Sequence, residues 1–183
     1  ARCMDLNLPW LRPLVRRLVD LAEERTTDLG PDIHRIDPAV YTDPERFALE
    51  KEVLFRAQPR VTAFSCDLPD PGDYLVNDDT DVPTLLVRGK DGRVRAFLNS
   101  CLHRGAPLLD GHGHCKSRIP CPYHAWSYDL EGRLRSISSP GTFGATPTPD
   151  QGLVQLPCDE AYGLIFTSGR PGGHVDAREL LGT

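Results

Sequence analysis

A chain of 183 residues and 20.3 kDa suits one domain with a short extension. Of its residues 39% are hydrophobic and 26% charged, with 21 Lys and Arg against 26 Asp and Glu, the balance of a globular rather than a disordered or fibrous protein. A net charge of -5 offers no electrostatic basis for binding nucleic acid, no apolar run approaches the ~20 residues of a membrane span, and no basic-then-apolar leader opens the chain.

In chain order, Leu11, Leu14, Val15, Leu18, Leu21 and Ala22 recur at i, i+3, i+4 spacing, with Arg12, Arg16, Arg17, Glu23 and Glu24 opposite. This predicts an amphipathic helix over residues 9–25, packed on its own domain or a neighbouring subunit rather than on a membrane surface. Asp43-Pro44 predicts a second helix, Asp43 as N-cap, running to about Phe55 and burying Phe47, Val53 and Leu54. Strands are then expected at Tyr74–Val76 and Thr84–Arg88, with a Lys90-Asp91-Gly92 turn into Val94–Leu98. A further hairpin, Trp126–Leu130 with Leu134–Ile137, turns at Glu131-Gly132. Pro140–Gln151 reads as a loop and Gly163–Thr167 as a last buried strand, so residues 56 onward form an antiparallel β domain.

Six cysteines call for a metal or redox explanation before a disulfide one, and their spacing carries the information. Cys101-Leu102-His103 and Cys121-Pro122-Tyr123-His124 each offer one thiolate and one imidazole, on spacings that let both point to one centre. Two Cys and two His can hold a structural zinc, although zinc fingers pair like with like, C-x₂₋₄-C with H-x₃₋₅-H.

The mixed arrangement resembles the Rieske [2Fe-2S] motif, C-x-H followed by C-x-x-H. The flanking His103-Arg104-Gly105 and His124-Ala125-Trp126 are similar to the loops of Rieske-type ring-hydroxylating oxygenase large subunits. So are Tyr41–Glu45, Glu50–Phe55, Pro71–Tyr74, Arg88–Asn99, Tyr128–Gly132 and Tyr162–Phe166. The resemblance implies a mainly β, antiparallel Rieske-type sandwich or barrel over residues 56–183, with residues 1–55 as a helical extension. It implies that Cys101 and Cys121 ligate one iron of the cluster and His103 and His124 the other. Two neutral imidazoles in place of two thiolates make such a cluster less negative and easier to reduce.

The same resemblance implies a bacterial cytoplasmic oxidoreductase component, with aromatic hydrocarbons as the substrate class and a homo-oligomeric full-length protein. A ferredoxin or flavin reductase would donate electrons and a mononuclear non-haem iron domain, on a neighbouring subunit, would receive them. That iron domain lies outside this chain, which is therefore expected to pass electrons but not to oxygenate alone. The alternative is a stand-alone Rieske-type electron carrier, and continuation of the gene into a domain with two His and an Asp separates the two. Where respiratory Rieske proteins carry a disulfide across the cluster this chain has Ala106 and Tyr123, and where they carry a serine donor it has Trp126. A potential near the low end of the range, about −150 mV, is the expectation.

The remaining features read as structural. Asp110-Gly111-His112-Gly113-His114 is expected to be a polar surface loop, and Cys3, Cys66, Cys115 and Cys158 buried or half-buried free thiols. His34 and His174 are expected at the surface. Between Arg88 and Arg135 there are nine Lys/Arg against four Asp/Glu, a local +5 that leaves -10 elsewhere and reads equally as a basic apron for an acidic partner or as a solvated face. The aspartates from Asp67 to Asp81 match no calcium loop.

Overall fold

The computed structural model describes Pro9, residues 11–138, Gly141 and residues 151–182. The chain divides into two units, Ala1–Thr42 and Asp43–Thr183. The first holds helix α1 (Leu11–Glu23), close to its expected bounds, and a single turn α2 (Ala39–Thr42); no residue of α1 is buried.

The second unit opens with α3 (Pro44–Glu50). Asp43 caps it as predicted, its Oδ1 accepting the N–H groups of Glu45 at 2.9 Å and Arg46 at 3.4 Å. The helix widens into a π-helical segment, Lys51–Arg56, where Arg56 pairs with Glu52 and Asp81. The expectation that this helix buries Phe47, Val53 and Leu54 is corrected: they are 56%, 48% and 51% exposed. The three buried clusters, built from strand and loop residues with Ala177, include no residue of this helix.

Among the described residues, eleven antiparallel strands build three sheets. β1 (Arg60–Phe64), β10 (Cys158–Ala161) and β11 (Leu164–Thr167) form one, in the order β1-β11-β10. β2 (Asp73–Asn77), β3 (Thr84–Arg88), β4 (Val94–Leu98), β5 (His112–His114) and β9 (Gln155–Leu156) form the second, in the order β5-β2-β3-β4-β9. β6 (Ile119–Pro120), β7 (Ser127–Tyr128) and β8 (Leu134–Ser136) form the third. The expected mainly β, antiparallel architecture is the one observed.

The continuous apolar run of β3 follows from its central place. Leu85 and Val87 face a core shared with Phe97, Ile119, Trp126, Tyr128 and Leu134, whereas Leu86 faces a second core with Ala63, Leu68, Ala96, Leu156 and Ile165. A strand covered on both sides has no solvent face for polar residues to occupy. Arg88, ending β3, joins two sheets through a two-pronged ion pair with Glu160 on β10 (2.9 and 3.1 Å), and its Nε donates to the Leu68 carbonyl. The Arg88 guanidinium first, then a hydrogen bond from Ser65, holds the Glu160 carboxyl below the usual carboxylate range despite opposing burial. A depressed folded pKa stabilises the fold above the unfolded value, about 4.3, and that stabilisation is lost as pH falls through the folded pKa. Thermal midpoints followed from pH 6 down to 3 should therefore drop more steeply in the native chain than in Glu160→Gln; parallel curves would refute the linkage.

The third sheet's hairpin is shorter than its sequence pattern suggests because Asp129 starts the turn early. Its buried carboxylate accepts the N–H groups of Glu131 (3.0 Å) and Arg133 (2.8 Å) and pairs with Arg135 at 2.7 Å. At the turn Gly132 has φ +83°, and a Cβ there would stand 2.4 Å from the Phe97 ring, so only glycine fits. Three further readings change. Residues 112–114 are an edge strand rather than a loop, paired with β2 because Gly113 leaves room for the Tyr74 ring. Cys66 is exposed, because its neighbour Leu68 fills the buried place instead. Three of the nine basic residues between Arg88 and Arg135 are neutralised: Arg88 by Glu160, Arg95 by Asp91 and Arg135 by Asp129. Cys115 is buried and Cys158 half-buried, His34 and His174 are exposed, and Cys3 and most of the Pro140–Gln151 loop lie outside the described residues.

Candidate metal centre

Two loops project from the strands and close in the same way. In the first, Cys101 N–H donates to the Ala106 carbonyl and Gly105 N–H to the Cys101 carbonyl, both at 2.8 Å. In the second, Cys121 N–H donates to the Trp126 carbonyl (2.7 Å) and Ala125 N–H to the Cys121 carbonyl (3.1 Å). The fifth residue of each loop is left-handed, Gly105 at φ +70° and Ala125 at φ +55°. Alanine bears that conformation at a cost, so the second loop is held in shape by the interactions around it.

These turns bring the four predicted side chains together as two pairs. The Cys101 and Cys121 thiols adjoin, each shifting the other's ionisation, and both are buried. The His103 and His124 rings meet edge to face with centroids 4.7 Å apart, and both residues are half-buried. His103 stacks on the Trp126 indole at 4.8 Å and 4°, while the exposed Tyr123 ring lies 3.8 Å from His124. The arrangement is thus sulfur inside, nitrogen toward the surface.

Electrostatics separates the two thiols. Burial pushes both up, but at Cys121 the backbone N–H groups of His124 and Tyr123, with Cys101, prevail and bring it below the ordinary thiol value. At Cys101 burial prevails and the thiol is pushed up, so Cys121 ionises first. His103 is held below the ordinary histidine range by burial and by its neighbours His124 and Arg104.

Supporting groups surround the donors. Tyr128 is fully buried; its hydroxyl accepts the Leu102 N–H at 3.1 Å and lies 3.2 Å from Cys101 Sγ, within hydrogen-bond reach of the sulfur. Asn99, also buried, holds the far limb of the first loop: its Oδ1 accepts from Leu108 N (3.0 Å) and Leu109 N (3.3 Å), and its Nδ2 donates to the Leu109 carbonyl at 2.8 Å. Sequence reasoning missed both as parts of the site. Tyr128 lies two residues beyond Trp126 in the stretch that the sequence pattern reads as one strand, which offered a signal; Asn99 offered none.

Buried nitrogen tests the fit of a cofactor. His124 Nδ1 is buried with no hydrogen-bond partner among the described residues, an arrangement that costs free energy unless a Lewis acid takes its lone pair. Two adjoining thiols and an inward imidazole nitrogen suit a cluster of two irons. No three His, Cys, Asp or Glu side chains among the described residues are placed to hold a single ion, at this site or around Asp110, His112 and His114. His114 Nδ1 instead pairs with Asp73 at 2.8 Å.

The model of the Rieske [2Fe-2S] domain matches residues 58–150, half of the chain and both loops. This chain belongs to the Rieske [2Fe-2S] domain family. Its cofactor is therefore a Rieske [2Fe-2S] cluster, and its relatives are oxygenase large subunits. The Rieske chain is 36% identical over 138 residues to the carnitine monooxygenase oxygenase subunit of Acinetobacter baumannii, covering 75% of this chain and 37% of that protein. It is 32% identical over 152 residues to the biphenyl 2,3-dioxygenase alpha subunit of Rhodococcus jostii, covering 82% and 32%. Among solved structures, the quaternary ammonium Rieske monooxygenase CntA superposes with a TM-score of 0.73 at 31% identity, over 80% of this chain and 41% of that one. The Rieske chain thus spans about a third to two fifths of the length of the relatives it matches. Those relatives act on quaternary ammonium compounds as well as on an aromatic hydrocarbon, so the aromatic substrate class expected from sequence is not singled out. No helix among the described residues is long and apolar enough to cross a membrane.

Proposed function

We propose that Cys101 and Cys121 hold the inner iron of the cluster and His103 and His124 the outer one, and that residues 56–183 serve as the electron-transfer domain of an oxygenase. The observation that carries this reading is the burial gradient across the four donors. The thiols are shut in the core, while the two imidazoles sit half-buried behind the exposed Leu102 and Tyr123. When bound, the cluster supplies a one-electron acceptor and donor. The protein's part is to present the histidine edge to partners and keep water from the sulfurs. A ferredoxin or flavin reductase is the donor, and the acceptor is a mononuclear iron in a catalytic domain of a neighbouring subunit. One solved relative, the quaternary ammonium monooxygenase, is described with inter-subunit electron transfer, which supports the latter assignment.

The test is stoichiometric. Anaerobically purified chain should carry two irons and two acid-labile sulfides, show a visible spectrum that bleaches with dithionite, and give a histidine-nitrogen signature in pulsed electron paramagnetic resonance of the reduced state. Absence of nitrogen coupling, or its survival in a His103→Ala, His124→Ala double variant, would overturn the ligand assignment.

Tyr128 adds a prediction about the potential. Its hydroxyl lies 3.2 Å from Cys101 Sγ and can only donate to a sulfur that has given up its proton to a metal, and a hydrogen bond to a ligand sulfur favours the more negative reduced state. It offsets part of the loss expected from Trp126 standing where respiratory relatives have serine. Removing the bond in Tyr128→Phe should lower the midpoint potential by about 50 mV, roughly 1 kcal/mol for one electron. Protein-film voltammetry reads this directly, and an unchanged potential would show that the sulfur does not receive the bond.

A further inference from the structure

The second donor loop carries a strain that the first avoids. Both turn through a left-handed fifth residue, but the first places Gly105 there and the second Ala125, at φ +55°. The residue before Ala125 is His124, so the peptide that joins them sets the aim of an imidazole as well as the strain. That peptide is gripped on both sides. Its N–H, from Ala125, donates to the Cys121 carbonyl at 3.1 Å, and its carbonyl, from His124, accepts the Ser138 hydroxyl at 2.5 Å. The first bond stays within the loop. The second comes from just past β8, fourteen residues further along the chain. Two residues earlier, the hydroxyls of Ser136 and Ser127 meet at 2.6 Å, and Ile137 between the two serines packs against the core that holds Trp126 and Tyr128. The end of β8 thus clips the second loop at its root, beside Trp126, and again at its tip.

Resting on the assignment of His124 as a ligand, we propose that Ser138 is a positioning residue for the cluster. Its bond to the His124 carbonyl holds the left-handed turn at Ala125 and so fixes the direction of the His124 ring. A rotation of the peptide that released the alanine would swing the carbonyl off Ser138 and the N–H off Cys121. Two hydrogen bonds therefore oppose the relaxation that a side chain at this position favours. Ser138 is exposed, so its removal leaves the His124 carbonyl within reach of water and not orphaned in the core. What is lost is the aim of the loop, not the fold beneath it. Glycine at position 125 would carry the same turn without strain and would need no tie from Ser138.

The test uses the full 183-residue chain carrying its cluster, reduced anaerobically and read by pulsed electron paramagnetic resonance. Ser138→Ala should shift the coupling of one histidine nitrogen and leave the other where it stands, a change that a purely structural serine would not produce. The same variant should lose iron to a chelator about tenfold faster than the native chain, the lower end of what a partner behind a ligand contributes. Ser138→Thr, which keeps a hydroxyl, should restore both readings. In an Ala125→Gly chain, replacing Ser138 by alanine should move neither. Unaltered couplings in Ser138→Ala, equal shifts of both nitrogens, failure of Ser138→Thr to restore them, or a serine effect of full size beside Gly at position 125 would each overturn the proposal. A native spectrum without any histidine nitrogen would overturn the ligand assignment itself, and the role of Ser138 with it.

Discussion

Cys121→Ser is expected to yield a colourless chain with essentially no iron, whereas Cys115→Ser, a few residues earlier, should keep its full complement. Both thiols are buried, so burial alone does not separate them. What separates them is charge. Backbone N–H groups and Cys101 draw Cys121 below the ordinary thiol value, while burial alone raises Cys115. The thiolate that forms most readily is the one a metal captures first, and a serine hydroxyl, which stays protonated near neutrality, cannot replace it. Loss of the cluster should also loosen the loops, because metal binding and local folding are one equilibrium where ligands supply the contacts. Iron and sulfide analysis of the two purified variants, with hydrogen exchange over residues 100–126, checks both parts. A Cys115→Ser protein lacking iron would mean that Cys115 competes as a ligand.

Asn99→Ala is expected to cost about 3 kcal/mol and to reduce cluster occupancy without touching a ligand. One side chain accounts for three hydrogen bonds to Leu108 and Leu109, and its removal leaves buried backbone groups unmatched in a region that water does not reach. The freed segment, Pro107–Leu109, anchors the return limb of the first loop, so Cys101 and His103 lose their fixed separation. Asn99→Asp should recover part of the loss, since its carboxylate keeps the acceptor for the two N–H groups, but not the donor to the Leu109 carbonyl. Denaturant unfolding of the two variants, with the visible absorbance per chain, measures the effect. A cost below about 1 kcal/mol in the alanine variant would show that the loop is held by other means.

Much of this was legible because several local signals agreed. Asp43-Pro44 caps a helix on its own chemistry, Lys90-Asp91-Gly92 turns a hairpin with little help from elsewhere, and the largely apolar run Val94–Leu98 after that turn marks its return strand. The four candidate donors stood out because each motif compresses its thiol and imidazole into three or four residues. What escaped depends on tertiary context. The five strands at Arg60–Phe64, His112–His114, Ile119–Pro120, Gln155–Leu156 and Cys158–Ala161 are short, polar or proline-bearing, and pair only because a neighbour offers an edge. Phe47, Val53 and Leu54 have the spacing of a buried helix side but belong to none of the three buried clusters. Asn99 and Tyr128 act on residues 9–10 and 26–27 positions away, distances over which sequence pattern says nothing.

The matched closure of the two donor loops has a mechanical consequence. Each loop lends one sulfur and one nitrogen, so a cofactor gripped by all four staples the tips at both its ends and cannot release one loop while keeping the other. Occupied, the tips should move as one rigid body; emptied, each is expected to loosen by itself above sheets that stay folded.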